Sequence, residues 1–321
     1  MSVLQLADKL RTEADAYLYL EALRWGDRPL CPHCGSVGEH YFLTPANGRS
    51  RKTRTGAPSE RRVWKCRDCR RQFSVLTGTI MHRSKVPVRT WVFVIFEACS
   101  SKNGISAREV ERKYGLTPRT AWHLLHRIRE AMKREPMAGL LAGRVVADET
   151  FYGGKASNRH GHDPRKHTQG PKPDDKVAIM ALVSRETGEV RSQILPNVRR
   201  ETLREAIAEQ VDMPSTHLHT DQLKAYGQLA DQFASHSAVQ HGEREYVRGD
   251  VSTNQAESYF SQLKRSIDGT HHHVSREHLH RYLAEFDFRY STCKSSDTER
   301  VAMLVGRVGG RRLTYHQPAQ T

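Results

Sequence analysis

Four cysteines fall in two C-x-x-C pairs, Cys31-Pro-His-Cys34 and Cys66-Arg-Asp-Cys69. Two such pairs bring four thiolates to one point, which suits tetrahedral Zn²⁺ in a structural site. Each pair sits in turn-forming sequence, CPHCGS and CRDCRRQF. Apolar and aromatic residues follow each: Tyr41, Phe42 and Leu43 after the first, Phe73, Val75 and Leu76 after the second. The layout predicts two short hairpins stapled by metal, a zinc ribbon. A redox C-x-x-C would not need the second pair. His33 lies inside the first pair, but four cysteines already close the site. Cys99 and Cys293 stand alone and read as small packing residues.

A second group of chemically able residues is acidic. Asp148 follows an apolar run inside residues 144–152, which read as a strand ending at Gly153-Gly154. Asp221 closes another short strand, residues 217–221. Two carboxylates held together repel unless a cation bridges them. Hard oxygen ligands suit Mg²⁺ or Mn²⁺, and two such ions about 3.5–4 Å apart serve phosphoryl transfer. The plainer alternative has Asp221 capping the next helix and Asp148 merely exposed at a strand edge. A third carboxylate comes from a late helix in which Ala256, Tyr259, Phe260, Leu263 and Ile267 mark the buried face. Glu257 and Lys264 are two turns apart and share a face, so one can ligate metal while the other holds a phosphate. Asn254-x-x-Glu257 also fits a capping box, and Asn254 shares the face as a polar ligand in its own right.

The elements that must position these groups follow from the pattern. Strands over 176–183 and 190–195 flank a Glu186-Thr187-Gly188-Glu189 turn and form a hairpin. Helices are expected over 200–211 and 223–233, and a short strand near 237–240. The order β-β-β-α-β-α-β-α matches an RNase H-like fold, a mixed sheet with helices on its faces. In that topology the strands of Asp148 and Asp221 are neighbours and their carboxylates point to one spot.

Charge separates the two halves. Residues 1–140 hold 26 basic and 13 acidic residues, whereas residues 141–321 hold 25 and 23. The front half is therefore built to meet a polyanion and the back half resembles an ordinary globular domain. The insert between the cysteine pairs, residues 39–65, is rich in Arg, Ser, Thr and Gly. It reads either as a solvated loop or as a basic arm that tracks a phosphate backbone. At 37% hydrophobic and 27% charged the chain is too apolar for wholesale disorder. No apolar run approaches the roughly 20 residues of a membrane span, and the first residues lack the pattern of a secretory signal. A cytoplasmic, nucleoid-associated protein without disulfides is expected.

Between the ribbon and residue 140 the apolar period is helical. Trp91, Val92, Ile95, Phe96 and Cys99 make one face. Ser106, with Glu109 three residues on, signals a helix start, and Gly115 a turn. Thr117 and Pro118 open the next helix. Ala121, Leu124, Leu125 and Ile128 would be buried there, with Arg119, Thr120, His123 and Arg127 outward. This has the size and chemistry of a helix-turn-helix that reads the major groove, although small helical hairpins are common.

With these residues assembled, the chain resembles a known family: bacterial insertion-sequence transposases of the DDE class with an N-terminal zinc ribbon and an RNase H-like catalytic domain. The resemblance spans residues 25–295. It is carried by CPHCGS…WKCRDCRRQFSVLTGTI, VVADETFYGGK, HTDQLKAY and TNQAESYFSQLKRSIDGTHHHVSREHLHRYLAEFDFRY. It implies Asp148 and Asp221 as the first two catalytic acids. For the third, some members use Asn, and both Asn254 and Glu257 stand in the matching stretch; the spacing to Lys264 favours Glu257. His271, His272 and His273 read either as DNA contacts or, more simply, as a polar turn between helices.

The expected organisation is a multidomain α+β protein: an N-terminal helix over 1–25, the zinc ribbon with its insert over 26–80, and the helix-turn-helix domain over 81–140. The catalytic domain, α/β with a mixed sheet, then spans 141–295 and a C-terminal tail 296–321. Zn²⁺ is expected on Cys31, Cys34, Cys66 and Cys69, and two Mg²⁺ or Mn²⁺ ions on Asp148, Asp221 and Glu257. Double-stranded DNA, as terminal inverted repeats and target, is the expected partner. Arg119, Thr120, His123, Arg127, Lys264 and Arg265 are the expected contacts, in a homodimer or higher oligomer. The reaction implied is cleavage at the element's ends followed by strand transfer. Two rivals are a non-catalytic DNA-binding regulator and a metal-dependent nuclease that cuts without joining.

Overall fold

The structure is a computed structural model that describes residues 1–43, 52, 56, 59–134, 139–153, 176–221, 224–239, 247–249 and 251–315. Residues 44–51, 53–55 and 57–58 of the basic insert between the cysteine pairs, the Gly- and His-containing stretch after Gly153, and Gln240 lie outside the described residues. The chain divides into two compact units, Met1–Lys133 with Lys294–Thr321, and Arg134–Cys293. Among the described residues no helix is long and apolar enough to cross a membrane.

The first unit opens with helices α1 (Val3–Lys9) and α2 (Glu13–Trp25). Ser2 and Thr12 start them with complete capping boxes, closed by Gln5 and Asp15. A small antiparallel sheet follows, β1 (Tyr41–Phe42), β2 (Trp64–Lys65) and β3 (Gln72–Phe73), in the order β1-β2-β3. Glu21 ties it to α2: the buried carboxylate accepts from Arg62 Nε at 2.8 Å and Trp64 Nε1 at 3.0 Å.

Helix α3 (Val88–Ser100) is apolar on most of its surface, with Trp91, Val92, Val94, Ile95, Phe96, Ala98 and Cys99 buried. Its N-terminus follows Pro87, which supplies no side-chain cap. The first-turn amides find a carboxylate from another helix instead: Glu13 accepts from the Val88 N–H at 2.5 Å and the Arg89 N–H at 3.0 Å. Glu13→Ala removes both acceptors and a favourable charge at the helix N-terminus. It is expected to cost about 1–2 kcal/mol in a denaturant titration, with Glu13→Gln losing less.

Helices α4 (Ala107–Tyr114) and α5 (Pro118–Met132) follow. The local signals act where the sequence places them. Ser106 accepts from the Glu109 N–H, Gly115 takes the left-handed conformation at φ 61°, and Thr117 accepts from the Thr120 N–H with Pro118 in the first helical position. The stretch separated from the sequence as a tail carries a helix of its own, Asp297–Gly306, behind a Ser296/Glu299 capping box. That helix packs on α2, α3 and α5 through a face that includes Val301, Leu304 and Val305.

The second unit is built on a five-stranded mixed sheet of order β6-β5-β4-β7-β8. Its strands are β4 (Leu141–Tyr152), β5 (Val177–Ser184), β6 (Val190–Leu195), β7 (Val211–Thr220) and β8 (Ser235–Ala238). β5 pairs antiparallel with β4 and β6, while β7 runs parallel to β4 and β8. Both faces are covered, so β5 is buried along its whole length and reads as an unbroken apolar run. Val145, Ala147, Met180 and Leu182 face a core completed by Leu203 and Ile207 of α6 (Arg200–Ala208) and by Tyr226, Leu229 and Phe233. Val146, Ile179, Ala181 and Val183 face the opposite core, completed by α8 (Asn254–Ser266) and α9 (Arg276–Ser291). The helix expected over 223–233 is instead a single turn, α7 (Lys224–Gly227), and a 3₁₀ turn, Ala230–Gln232. Gly227, a poor helix former, stands at the break, and Tyr226, Leu229 and Phe233 stay buried across it.

Candidate functional site

Each cysteine pair is followed by a residue in the left-handed conformation, Gly35 at φ 76° and Arg70 at φ 61°. Glycine adopts this freely and arginine only under constraint. The same turn is therefore imposed twice. Matching hydrogen bonds lead the chain back, from the Cys31 N–H to the Ser36 carbonyl and from the Cys66 N–H to the Arg71 carbonyl, both at 2.9 Å. The turns converge. Cys31 Sγ lies 3.7 Å from Cys69 Sγ, Cys34 Sγ lies 3.6 Å from Cys66 Sγ, and all four sulfurs fall within 4.8 Å of one another. Zn–S bonds of about 2.3 Å in a tetrahedron set sulfurs about 3.8 Å apart, so the cluster already has the spacing zinc requires. Burial raises the Cys66 thiol, but the backbone N–H groups of Cys69 and Asp68 outweigh it and bring Cys66 down to about 6. His33 bonds the Gln72 carbonyl at 3.2 Å and stands outside the cluster. Phe73 closes the inner side, edge-on to Trp25 and His40. Cys99 is a buried packing residue as expected, whereas Cys293 is exposed, because it lies in the turn beyond α9.

In the second unit the strand register decides which acidic groups meet. Val145 pairs with Leu218 and Val146 with His219 in the parallel β4–β7 ladder. Two residues beyond that last pair stand Asp148, still within β4, and Asp221, just past the end of β7, and the charges of both reach Glu149. Alternation then sets the face: Val146 looks toward α8, and Asp148 follows it with the strand period of two. A cavity of about 400 Å³ opens there, lined by Asp148, Glu149, Thr150, Glu257, Phe260, Ser261 and Lys264. Glu257, Ser261 and Lys264 recur at helical spacing, so one face of α8 walls the cavity. Glu257 Oε1 accepts from the Thr253 hydroxyl at 3.1 Å.

Asn254 does not make the capping box considered from the sequence. The N-cap of α8 is Thr253, no side chain caps the helix, and exposed Asn254 is its first residue, outside the cavity lining. A π-helical turn, Ile267–His271, follows α8 and ends on the first of the three histidines. His271 packs against Tyr282, and His272 and His273 are exposed.

Glu149 is the residue that the sequence reading passed over. Burial, then the negative charges of Asp148 and Asp221, push its carboxyl up to about 8. Its Oε1 is buried and has no hydrogen-bond partner among the described residues. Burial is the larger cause, and the two neighbouring carboxylates add to it.

Of the four residues expected outward on α5, Arg119 is exposed and Thr120 and His123 are half-buried. Arg119 Nε donates to the Tyr315 hydroxyl at 2.6 Å with its guanidinium over that ring, and His123 meets the same ring edge-on. Arg127 corrects the expectation. It is buried, donates to the His82 carbonyl at 2.8 Å and lies over the Trp91 ring. From Leu124 to Arg129 every residue of α5 is buried, because neighbours cover this half of the helix on more than one side. Lys264 and Arg265 of α8 are exposed.

Residues 140–291 match the family described as ISXO2-like transposase domain, and residues 11–72 match the transposase zinc-ribbon domain. The chain belongs to the insertion-sequence transposases. The zinc-ribbon match contains all four clustered cysteines, and the transposase-domain match contains Asp148, Asp221, Asn254, Glu257 and Lys264. The chain is also 25% identical over 301 residues to "Uncharacterized protein in transposable element ISH50" of Halobacterium salinarum, covering 92% of this chain and 96% of that one. Among solved structures it is similar to a chain of the simian T-cell lymphotropic virus intasome in complex with PP2A regulatory subunit B56 gamma. That likeness covers 72% of each chain at 11% identity with a TM-score of 0.24, too low to carry an argument.

Proposed function

We propose that this transposase cuts and joins DNA at the sheet edge of its second unit, an RNase H-like domain, through Asp148, Asp221 and Glu257. The observation that carries the reading is the convergence of Asp148, Glu257 and Lys264 around one cavity, with Asp221 in register beside Asp148. The donor set is all hard oxygen with one cation, which fits Mg²⁺ or Mn²⁺. Two such ions would activate a water or a DNA 3′-OH and stabilise the leaving oxygen of an in-line displacement. The three carboxylates would hold the ions, and Lys264 on the same wall of α8 would neutralise the phosphate that approaches. Such chemistry is positioning and charge neutralisation, with no covalent enzyme intermediate required.

The zinc ribbon and the α4–α5 pair, as a helix-turn-helix, would hold the terminal inverted repeats, with exposed Arg119 and half-buried Thr120 and His123 at the start of α5 reading the groove. Arg127, turned inward, supports α5 rather than touching DNA. Lys264 and Arg265 would meet phosphate near the reacting bond, and pairing of two ends calls for a DNA-bound dimer or larger assembly.

A supercoiled target and a labelled element end, incubated with Mg²⁺ or Mn²⁺, test the reading and its rivals together. Joined product supports a transposase. Cut ends without joining favour a nuclease, and bound but intact DNA favours a non-catalytic regulator. In the same assay Glu257→Gln is expected to lose about 10²-fold or more in rate, and Asn254→Ala less than about 3-fold. The reverse order would move the third ligand to Asn254.

A further inference from the structure

We infer that Asp287 is a positioning residue for the carboxylate site, acting through Tyr259 to fix how α8 presents Glu257. This rests on the functional reading above. Asp287 lies on α9, away from the cavity, and its carboxylate is fully engaged. One oxygen accepts from the Tyr259 hydroxyl at 2.6 Å and the Ser192 hydroxyl at 2.8 Å, and the other accepts from the Ser192 N–H at 2.9 Å. Burial pushes this carboxyl up to about 6, while the bonds from Tyr259 and Ser192 pull it back down.

The bonds form a chain from the sheet to the site. β6 is an edge strand, and the N–H groups of Val190 and Ser192 would be open to solvent or to another strand. α9 takes both: Ser291 Oγ accepts from the Val190 N–H at 2.9 Å and Asp287 accepts from that of Ser192. This fixes α9 along the strand. From α9, two contacts then reach α8. Tyr259 donates to Asp287, and the Tyr290 hydroxyl donates to the Gln255 carbonyl at 3.2 Å. Gln255 and Tyr259 stand two residues before and two residues after Glu257, so the contacts from α9 bracket the ligand.

The core between these helices and the sheet cannot do this alone. Ala256, Phe260 and Leu263 pack without directional preference, and such a surface tolerates small rotations and slides of the helix. Hydrogen bonds are directional, and a fully satisfied buried network specifies one arrangement. A shift of about 1 Å at a reacting centre can cost about 10²-fold in rate.

The test measures Mn²⁺ binding to the purified protein by electron paramagnetic resonance, together with end cleavage across a Mn²⁺ series. It uses wild type, Tyr259→Phe, Asp287→Asn, the double variant and Asp148→Asn. Tyr259→Phe keeps the ring and its packing, so it stays informative if Asp287→Asn folds poorly. The inference predicts that each single variant weakens Mn²⁺ binding several-fold and slows cleavage by about 10–100-fold, with affinity for end DNA within about 2-fold of wild type. The double variant should be no worse than the poorer single, because both break one linkage. Wild-type Mn²⁺ dependence and wild-type rate per folded molecule in Tyr259→Phe would overturn it, whatever the loss of thermal stability. If wild type shows no Mn²⁺ binding that Asp148→Asn removes, and no cleavage, the site reading itself fails and this inference falls with it.

Discussion

Asparagine at Asp148 or Asp221 is expected to lower end cleavage and joining by at least about 10³-fold while leaving end binding within a few-fold. The substitution keeps size and polarity but removes one negative charge from a site whose task is to hold cations. The two positions are matched by register: each lies two residues beyond Val146–His219, the last pair of the parallel β4–β7 ladder. The same variants should raise, not lower, the melting temperature of chelated protein. Without ions the edge holds Asp148 and Asp221 close enough to Glu149 that their charges add to the larger effect of burial in raising its carboxyl to about 8. Relieving like charge at such a site stabilises the fold. A variant that loses activity and also melts earlier would point to a structural role for the carboxylate. A variant that keeps wild-type activity would remove it from the site.

Loss of zinc is the second large effect. Structural zinc contributes about 10–16 kcal/mol in small zinc-binding peptides. The core around the cluster offers little else, chiefly Phe73 with Trp25 and Trp64 beside the cysteines themselves. Purified protein is expected to carry about one zinc per chain. Cys31→Ser or Cys66→Ser, or a strong chelator, should release it, collapse the ribbon and abolish binding of element ends. Loss of zinc should also weaken the tie between Glu21 of α2 and the Arg62–Trp64 side of the ribbon. The second unit has its own cores and should keep its separate melting transition. Elemental analysis giving near-zero zinc in fully folded, DNA-binding protein would contradict this.

What was legible in the sequence divides by the range of the physics involved. The ribbon was legible because ligand spacing, turn and metal chemistry are all local, and the sulfurs meet as the C-x-x-C pairs require. Helix starts at Ser106 and Thr117 were legible for the same reason. Glu257 and Lys264 could be paired because helical spacing alone puts them on one wall. Glu149 is not legible because strand alternation alone would send it away from Asp148's face, and only the folded edge shows that both line one cavity and that Glu149 is buried beside the acids. Arg127 was misplaced because a helical wheel assigns one buried face, whereas α5 is covered on more than one side from Leu124 to Arg129. The Asp297–Gly306 helix reads as a tail although Ser296 and Glu299 cap it, since its packing partners α2 and α3 belong to the first 100 residues of the chain. The network around Asp287 was invisible for the same reason: Ser192, Tyr259 and Asp287 have no local relation.

The central claim is that the sheet edge at Asp148 and Asp221 is a divalent-cation centre for phosphoryl transfer. The most direct measurement is anomalous scattering from Mn²⁺ in crystals of the protein bound to an element end. The expected result is Mn²⁺ between the Asp148 and Asp221 carboxylates, with Glu257 within ligand distance of a second ion and the scissile phosphate beside Lys264, and loss of that density in Asp148→Asn. An ordered DNA end with no Mn²⁺ at this edge, or with Mn²⁺ held by other residues, would contradict the account.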